Sequence, residues 1–247
     1  MKSILSILVL SFGLAACAGA AETGSRAEKQ GADLRFTPNP ALPNVLLLGD
    51  SISIGYTSSV RQMLKGKANV FRPITAKGAA ENCSDTGTGV AELDRWLALA
   101  PKWDVIHFNW GLHDLKHMKD GKPSRDAADP PLRSVAEYQA NLEKIVARLK
   151  KTGARLIFAT TTPVVPGTGN PFRHPDDPPR YNTAAVEVMK ASGVRVNDLF
   201  AFIQPRLAEV QLPKNVHFTA AGSKLLARQV ADAIQDATFS CSVPLIP

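Results

Sequence analysis

Residues 46–55 read Leu-Leu-Leu-Gly-Asp-Ser-Ile-Ser-Ile-Gly, and this stretch decides the fold. The apolar run that leads into it, from Pro43 to Gly49, is continuous rather than alternating, the signature of a strand covered on both faces. It stops at Gly49-Asp50, a lone Ser51 follows, and from there to about Lys65 apolar residues recur at helical spacing before Gly66. A buried strand passing directly into a helix predicts a parallel sheet, because parallel neighbours need a crossover and a helix is the usual one. It also sets a hydroxyl at the tip of a core strand, where something has to activate it if it is to do chemistry.

The alternation continues along the chain. A short strand is expected at Asn69–Thr75, then a polar Gly-rich loop over 76–88, a helix from about Gly89 to Ala100, and a strong strand in Trp103–Trp110. A long loop with Pro123, Pro130 and Pro131 follows. Ser134 with Glu137 forms a capping box, opening a helix that carries Val135, Tyr138, Leu142, Ile145 and Leu149 on one face and stops at Gly153. The stretch 154–163 (Ala-Arg-Leu-Ile-Phe-Ala-Thr-Thr-Thr-Pro) reads as a strand, 163–179 as a Pro/Gly-rich loop, and Tyr181 to about Ala191 as a helix ended by Gly193. A shorter strand is expected in 194–200, and a last helix from Thr219, its N-cap, to about Ala237.

Strands alternating with helices of this length predict an α/β chain of three layers, α/β/α, around a parallel sheet of about five strands. In such sheets ligands sit outside the carboxyl ends of the strands. Ser51, His113, the Pro163 loop and His217 each follow a strand, so all four are expected on one rim.

The composition fits one sizeable domain: 247 residues with 45% hydrophobic and 21% charged leave enough apolar material for a core and exclude global disorder. The formal charge of +7 comes from scattered residues, without a basic run or interleaved stacking aromatics, so a nucleic-acid partner is not expected. At the N-terminus Lys2 precedes an apolar stretch, Ile4 to Ala16, too short to span a bilayer comfortably and suited to a secretory signal. Leu14-Ala15-Ala16-Cys17 resembles the bacterial lipobox, which implies cleavage after residue 16 and lipidation of Cys17. Residues 17–40, rich in Ala, Gly, Glu and Lys, read as a flexible tether, which puts the folded domain at 41–247. The protein is then expected outside the inner membrane, facing periplasm or exterior and held there by the lipid. That compartment permits a disulfide between Cys83 and Cys241, stapling the C-terminal tail to a loop near the site.

A serine hydroxyl needs a base within hydrogen-bond reach and donors for the oxyanion of a tetrahedral intermediate. "LLLGDSISIG", "NCSDT" after the second strand, "NWGLHD" after the third and "VHFTAAG" near the C-terminus together resemble the ordered blocks of the SGNH/GDSL hydrolase family. The resemblance implies a flavodoxin-like fold and ester hydrolysis without metal or cofactor. It implies that Ser51 is the nucleophile and His217 the general base, and that the Ser51 N–H is one oxyanion donor. Ser84 stands where the family's second block has a donor glycine; Gly78 is the alternative. Gly111-Leu112-His113-Asp114 stands where the family has Gly-x-Asn-Asp, so His113 replaces the asparagine donor, with Asp114 to fix its tautomer and Asn109 as a further candidate. Asp50 is expected to hold the strand-to-helix corner.

The last block departs most. The family pattern is Asp-x-x-His, and here position 214 is Lys, which cannot accept from an imidazole N–H. Either a backbone carbonyl or the side-chain oxygen of Asn215 orients His217, or another carboxylate such as Asp198 or Asp177 reaches in, or the enzyme is slow or inactive. His107 reads as a core histidine, and His113 with His117 makes an H-x-x-x-H spacing that lacks a third zinc ligand.

The expectation is a secreted serine esterase removing a short acyl group, an acetyl on a carbohydrate foremost. Its loops at Leu112–Arg133 and Pro163–Pro179 form a polar rim where Trp110, His113, Arg173, His174 and Arg180 meet sugars. A lysophospholipase or thioesterase, a catalytically weak glycan-binding module and an acyl-transfer enzyme are the alternatives.

Overall fold

The computed structural model describes residues 33–239. The signal segment, Cys17 and Cys241 lie outside the described residues, so neither the lipidation site nor the Cys83–Cys241 bridge is addressed by it.

The strand Asn44–Leu48 (β1) is buried from Val45 to Leu48, as its unbroken apolar run requires. It pairs in parallel with Asn69–Phe71 (β2) on one side and with Val105–Phe108 (β3) on the other. Beyond the two-residue strands Met118–Lys119 (β4) and Lys122–Pro123 (β5), the sheet continues through Arg155–Ala159 (β6) and Arg195–Asn197 (β7). Its order is β2-β1-β3-β6-β7, the flavodoxin-like arrangement in which the strand order reverses between β1 and β3. A crevice at the carboxyl ends of those two strands follows from the topology.

The helix Ser51–Met63 (α1) connects β1 to β2, and Thr86–Leu97 (α2), Val135–Lys150 (α3) and Asp177–Ser192 (α4) make the remaining crossovers. Because right-handed crossovers that run in opposite directions fall on opposite faces, α1 sits apart from α2, α3 and α4. The short helices Leu199–Ile203 (α5) and Leu207–Val210 (α6) lead to Ala220–Phe239 (α7), which packs on α1, while α2 packs on α3 and α3 on α4. Ser134 and Glu137 form both halves of the expected capping box.

Three differences from the sequence reading have simple physical causes. The expected strand 194–200 ends at Asn197, because Asp198 accepts from the Ala201 N–H at 3.0 Å and caps α5. The helix α4 begins at Asp177, since Pro178 and Pro179 fit a first helical turn whose N–H groups need no partner. The stretch 33–40, read as part of the tether, already lies on the domain: Arg61 donates to the Leu34 carbonyl at 2.8 Å, and the Phe36 ring packs edge-on against Phe71.

Candidate active site

Only Gly49 and Asp50 separate β1 from α1, so the corner is tight. A Cβ at Gly49 would stand 3.0 Å from Ser53 Oγ. Asp50 caps the helix, its Oδ1 accepting from the Ile52 N–H at 2.9 Å, as expected for a structural carboxylate. Ser51 is therefore the first helical residue, and its N–H is one of the first-turn donors that lack an intrahelical acceptor. Arg72 holds the corner from behind. Its Nη2 donates to the carbonyls of Gly49 and Glu81, both at 3.0 Å, and its Nη1 to Ser53 Oγ and Thr57 Oγ1 at 3.1 and 2.8 Å.

His217 arrives from the turn before α7. The Leu212 N–H donates to the His217 carbonyl at 2.9 Å and the Thr219 N–H to the Val210 carbonyl at 2.8 Å, closing a narrow turn that presents the imidazole. Thr219 Oγ1 accepts from the Gly222 N–H at 3.1 Å, as its N-cap reading requires. His217 Nε2 lies 2.8 Å from Ser51 Oγ, across 166 residues of chain. His217 Nδ1 lies 2.7 Å from Asn215 Oδ1, and the backbone N–H of His217 donates to the same oxygen at 3.0 Å. A backbone N–H only donates, so the Asn215 atom facing it is the amide oxygen, and Nδ1 must carry the ring proton. That leaves the Nε2 lone pair for the Ser51 hydroxyl. The carboxylates considered as orienters are engaged elsewhere: Asp198 accepts from Thr160 Oγ1 at 2.8 Å, and Asp177 pairs with Arg180 at 3.0 Å. Of the open readings for His217, the Asn215 side chain is the one the geometry realises.

Ser51 and His217 open on a cleft of about 660 Å³ whose walls include Asn82, His113, Arg173 and Asn215. Burial lowers the His113 pKa and outweighs the pull of Asp50, with Lys116 and Arg173 pushing the same way as burial. The ring is thus neutral at neutral pH and keeps an N–H to donate. Asp114 does not fix its tautomer. Its Oδ1 instead accepts from the Thr86 N–H at 2.9 Å and Thr86 Oγ1 at 2.5 Å, tying the turn after β3 to the start of α2. Buried there, its carboxyl pKa is pushed up to about 7.

Several other expected residues lie elsewhere. Asn109 donates through Nδ2 to the Ala159 carbonyl at 2.7 Å, joining the ends of β3 and β6 rather than facing the cleft. Gly78 spends its N–H on the Thr75 carbonyl at 2.8 Å, which removes it as an oxyanion donor. Ser84 adopts φ +53°, the left-handed conformation a glycine would take more easily, and its N–H donates to Asn82 Oδ1 at 2.9 Å. That bond fixes the Asn82 amide so that Nδ2 is its unengaged end. Of the rim residues, Trp110 is fully buried, and His174 and Arg180 line a separate depression with His117 and Asp177. Only His113 and Arg173 reach the cleft. Asn82 and Arg72 were not singled out as site residues; Asn82 stands in a motif block, whereas Arg72 shows only as a lone basic residue after a short apolar strand. Among the described residues no group of three His, Cys, Asp or Glu side chains is placed to hold a metal ion.

The profile of the GDSL-like Lipase/Acylhydrolase family matches residues 47–225, and the chain belongs to that family. It is an ester-hydrolysing enzyme. A lipase/acylhydrolase from Enterococcus faecalis is 20% identical with TM-score 0.63, the match covering 78% of this chain and 95% of that one. The acetyl xylan esterase AlAXEase is 14% identical with TM-score 0.61, over 77% of this chain and 99% of that one. An acetylxylan esterase from Geobacillus stearothermophilus is 17% identical with TM-score 0.57, over 78% and 94%. At these identities the solved structures share the fold. A search of curated proteins found no match.

Proposed function

We propose that the protein is a secreted, lipid-anchored serine esterase that removes a short acyl group, an acetyl in the first instance, from a carbohydrate. The observation that carries the catalytic part is the contact of 2.8 Å between His217 Nε2 and Ser51 Oγ, with Nδ1 held at 2.7 Å by Asn215. His217 takes the hydroxyl proton as Ser51 Oγ bonds to the ester carbonyl carbon. The oxyanion forms against the Ser51 N–H, with the His113 ring N–H and the Asn82 amide as side-chain donors. On collapse the C–O bond to the alcohol breaks, and His217 returns the proton to the leaving oxygen. Water then attacks the acyl-Ser51, again losing its proton to His217, and the acid departs as Ser51 recovers its own.

A polar cleft lined by Asn82, His113, Thr168 and Asn170 suits a hydroxyl-rich alcohol, and the acetyl xylan esterases sharing the fold lend the same direction. Anchoring rests on the N-terminal segment with Cys17 alone. In the test, purified protein is given p-nitrophenyl esters from acetate to octanoate and a fluorophosphonate probe, beside Ser51→Ala and His217→Ala. Hydrolysis and labelling should vanish in both variants and fall with chain length; equal activity in all three proteins would falsify the catalytic assignment, and a preference for octanoate would favour a lipid ester. Replacing Cys17 by Ala should release the protein from the membrane fraction; unchanged membrane retention would remove the anchor.

A further inference from the structure

Three cationic side chains line the cleft beside Ser51 and His217, namely Arg125, Arg173 and Lys214, and no carboxylate among the described residues lines it with them. None of the three forms an ion pair with a described residue. Elsewhere on this surface, arginines such as Arg95, Arg148 and Arg195 do find carboxylates.

Arg173 is the telling one. It is 7% exposed, yet it lacks a counter-ion. Its Nε donates to the Leu112 carbonyl at 2.6 Å and its Nη1 to the Pro171 carbonyl at 3.5 Å, which pins two cleft loops together. Those bonds explain half of the guanidinium; Nη2 has no partner among the described residues. Burial lowers its pKa to about 10, so it stays charged at neutral pH, and Asp50, the carboxylate that acts on it, does so while capping α1. That end of the guanidinium is not sealed from water, and Arg173 lines the cleft, so an anion arriving with the substrate meets a charged edge that no group among the described residues occupies.

Lys214 points the same way. It occupies the position where the family pattern has an acid, so the site exchanges a negative charge for a positive one beside the base. It is exposed, its φ is +51°, and with the exposed Arg125 it stands at the cleft wall.

We propose that the ester cleaved here is carried by an anionic molecule, whose acid group pairs with Arg173 while Lys214 and Arg125 draw it into the cleft. The inference rests on the esterase reading above and narrows its substrate to an acidic one. A planar guanidinium with a free edge suits a carboxylate, sulfate or phosphate oxygen, the chemistry these acids share. Cations at the mouth raise the encounter rate of such a substrate and make it depend on salt.

The test compares 4-acetoxybenzoate, 4-acetoxybenzenesulfonate and 4-acetoxyphenyl phosphate with the neutral 4-acetoxybenzamide. Each kcat/KM is divided by the ester's own rate of alkaline hydrolysis, which removes differences in the leaving phenol. At low salt at least one acid should exceed the amide by about tenfold, the worth of one charge-assisted contact. Which acid leads distinguishes the sources. The preference should shrink with added sodium chloride, and in the exposed double variant Arg125→Gln/Lys214→Met. It should be lost in Arg173→Gln and partly kept in Arg173→Lys. Equal or better use of the amide overturns the proposal, and so does a preference that the double variant and salt both leave intact.

Because Arg173→Gln removes two loop contacts, a second measurement does without it. Calorimetry of benzoate, benzenesulfonate and phenyl phosphate on Ser51→Ala should show one of them binding, weakened in the double variant; no binding by any overturns the proposal. An anion that binds to a protein inert towards every ester would defeat the esterase reading and leave the anion site standing. Brisk Ser51-dependent hydrolysis of neutral esters without acid preference does the reverse.

Discussion

Asn215 Oδ1 accepts twice from His217, from the ring Nδ1 at 2.7 Å and from the backbone N–H at 3.0 Å. The double contact answers the problem raised by Lys214. A free asparagine amide is ambiguous, since its NH₂ end would hold the imidazole in the tautomer that cannot accept from serine. In the serine-protease template that wrong tautomer is what costs about 10⁴ when an orienting Asp becomes Asn. Here the backbone N–H selects the oxygen end, so a neutral residue supplies the right tautomer. What it does not supply is a charge to stabilise the imidazolium.

That separation yields the first prediction. Asn215→Asp keeps the acceptor and adds a negative charge, which favours protonated His217. The acid limb of kcat/KM should move to higher pH, and the plateau should rise by about tenfold at most, because the tautomer penalty is already avoided. Asn215→Ala should lose on the order of 10²-fold or more over the plateau. A pH profile from 5 to 9 on p-nitrophenyl acetate reads both, and an unmoved acid limb in Asn215→Asp would rule out contact with the working imidazole.

His113 is neutral and lines the cleft, so its contribution should be a hydrogen bond rather than a charge. His113→Ala should lower kcat by about 10²–10³ with little change in KM, as for other lost oxyanion donors. His113→Asn, which brings an amide to the same wall, should recover most of that. Steady-state kinetics on the three proteins decide it; if Ala and Asn behave alike, the residue is wall and not donor.

Arg72 should matter for the shape of the nucleophile corner. Its two Nη atoms bond four oxygens, those of Gly49 at the corner, Ser53 and Thr57 in α1, and the Glu81 turn, from a buried position. An ammonium has three donors on one point and cannot reach all four, so Arg72→Lys should destabilise the fold by about 2–4 kcal/mol. Urea unfolding measures it. A loss below about 0.5 kcal/mol, the range of ordinary surface substitutions, would show that the corner stands without the guanidinium.

What could be read from the sequence divides by distance along the chain. The continuous run at Val45–Leu48 and the Ser134/Glu137 box carry their meaning within a few residues, and the structure uses them as written. The starts of α2 and α4 were less legible, because Gly87 and Gly89 or Pro178 and Pro179 look like loop until their surroundings are known. Gly89 is small because Trp110 and Ile145 press on it, leaving 2.9 Å to a notional Cβ. The pairing of Ser51 with His217 is legible through the ordered motif blocks, although α5 and α6 separate the last of these from β7. Asn109 and Asp114 show the opposite case. Standing two residues before Gly111 or directly after His113 says nothing of direction, and each side chain turns away to close a neighbouring element. Whether Asn82 or Arg72 belonged to the site depends on contacts that cross from one block to another, which no spacing rule encodes.

Asp114 gives a prediction that separates stability from catalysis. Its carboxyl is buried against Thr86, its Oδ2 has no partner, and its pKa in the fold is pushed up to about 7. The unfolded chain has an ordinary Asp, with pKa about 3.9. Between about pH 4 and pH 7 the folded state therefore binds the extra proton, so this residue's contribution falls as pH rises through that window and is flat above it. His107 works against it: burial takes its imidazole down to about 3, so its contribution is lost as pH falls from the ordinary histidine value of about 6.5. The two opposed trends flatten the pH dependence of the whole protein, and only a difference between variants exposes either one. Asp114→Asn keeps an oxygen for the Thr86 N–H and hydroxyl but cannot ionise. Relative to the parent it should gain stability between pH 5 and pH 8, by on the order of 2–4 kcal/mol for a shift of this size at a buried site. Urea midpoints of both proteins at the two pH values measure the gain. A constant difference across them would mean that Asp114 is ionised in the fold throughout, with its second oxygen finding a proton donor that the hydrogen-bond pattern does not contain.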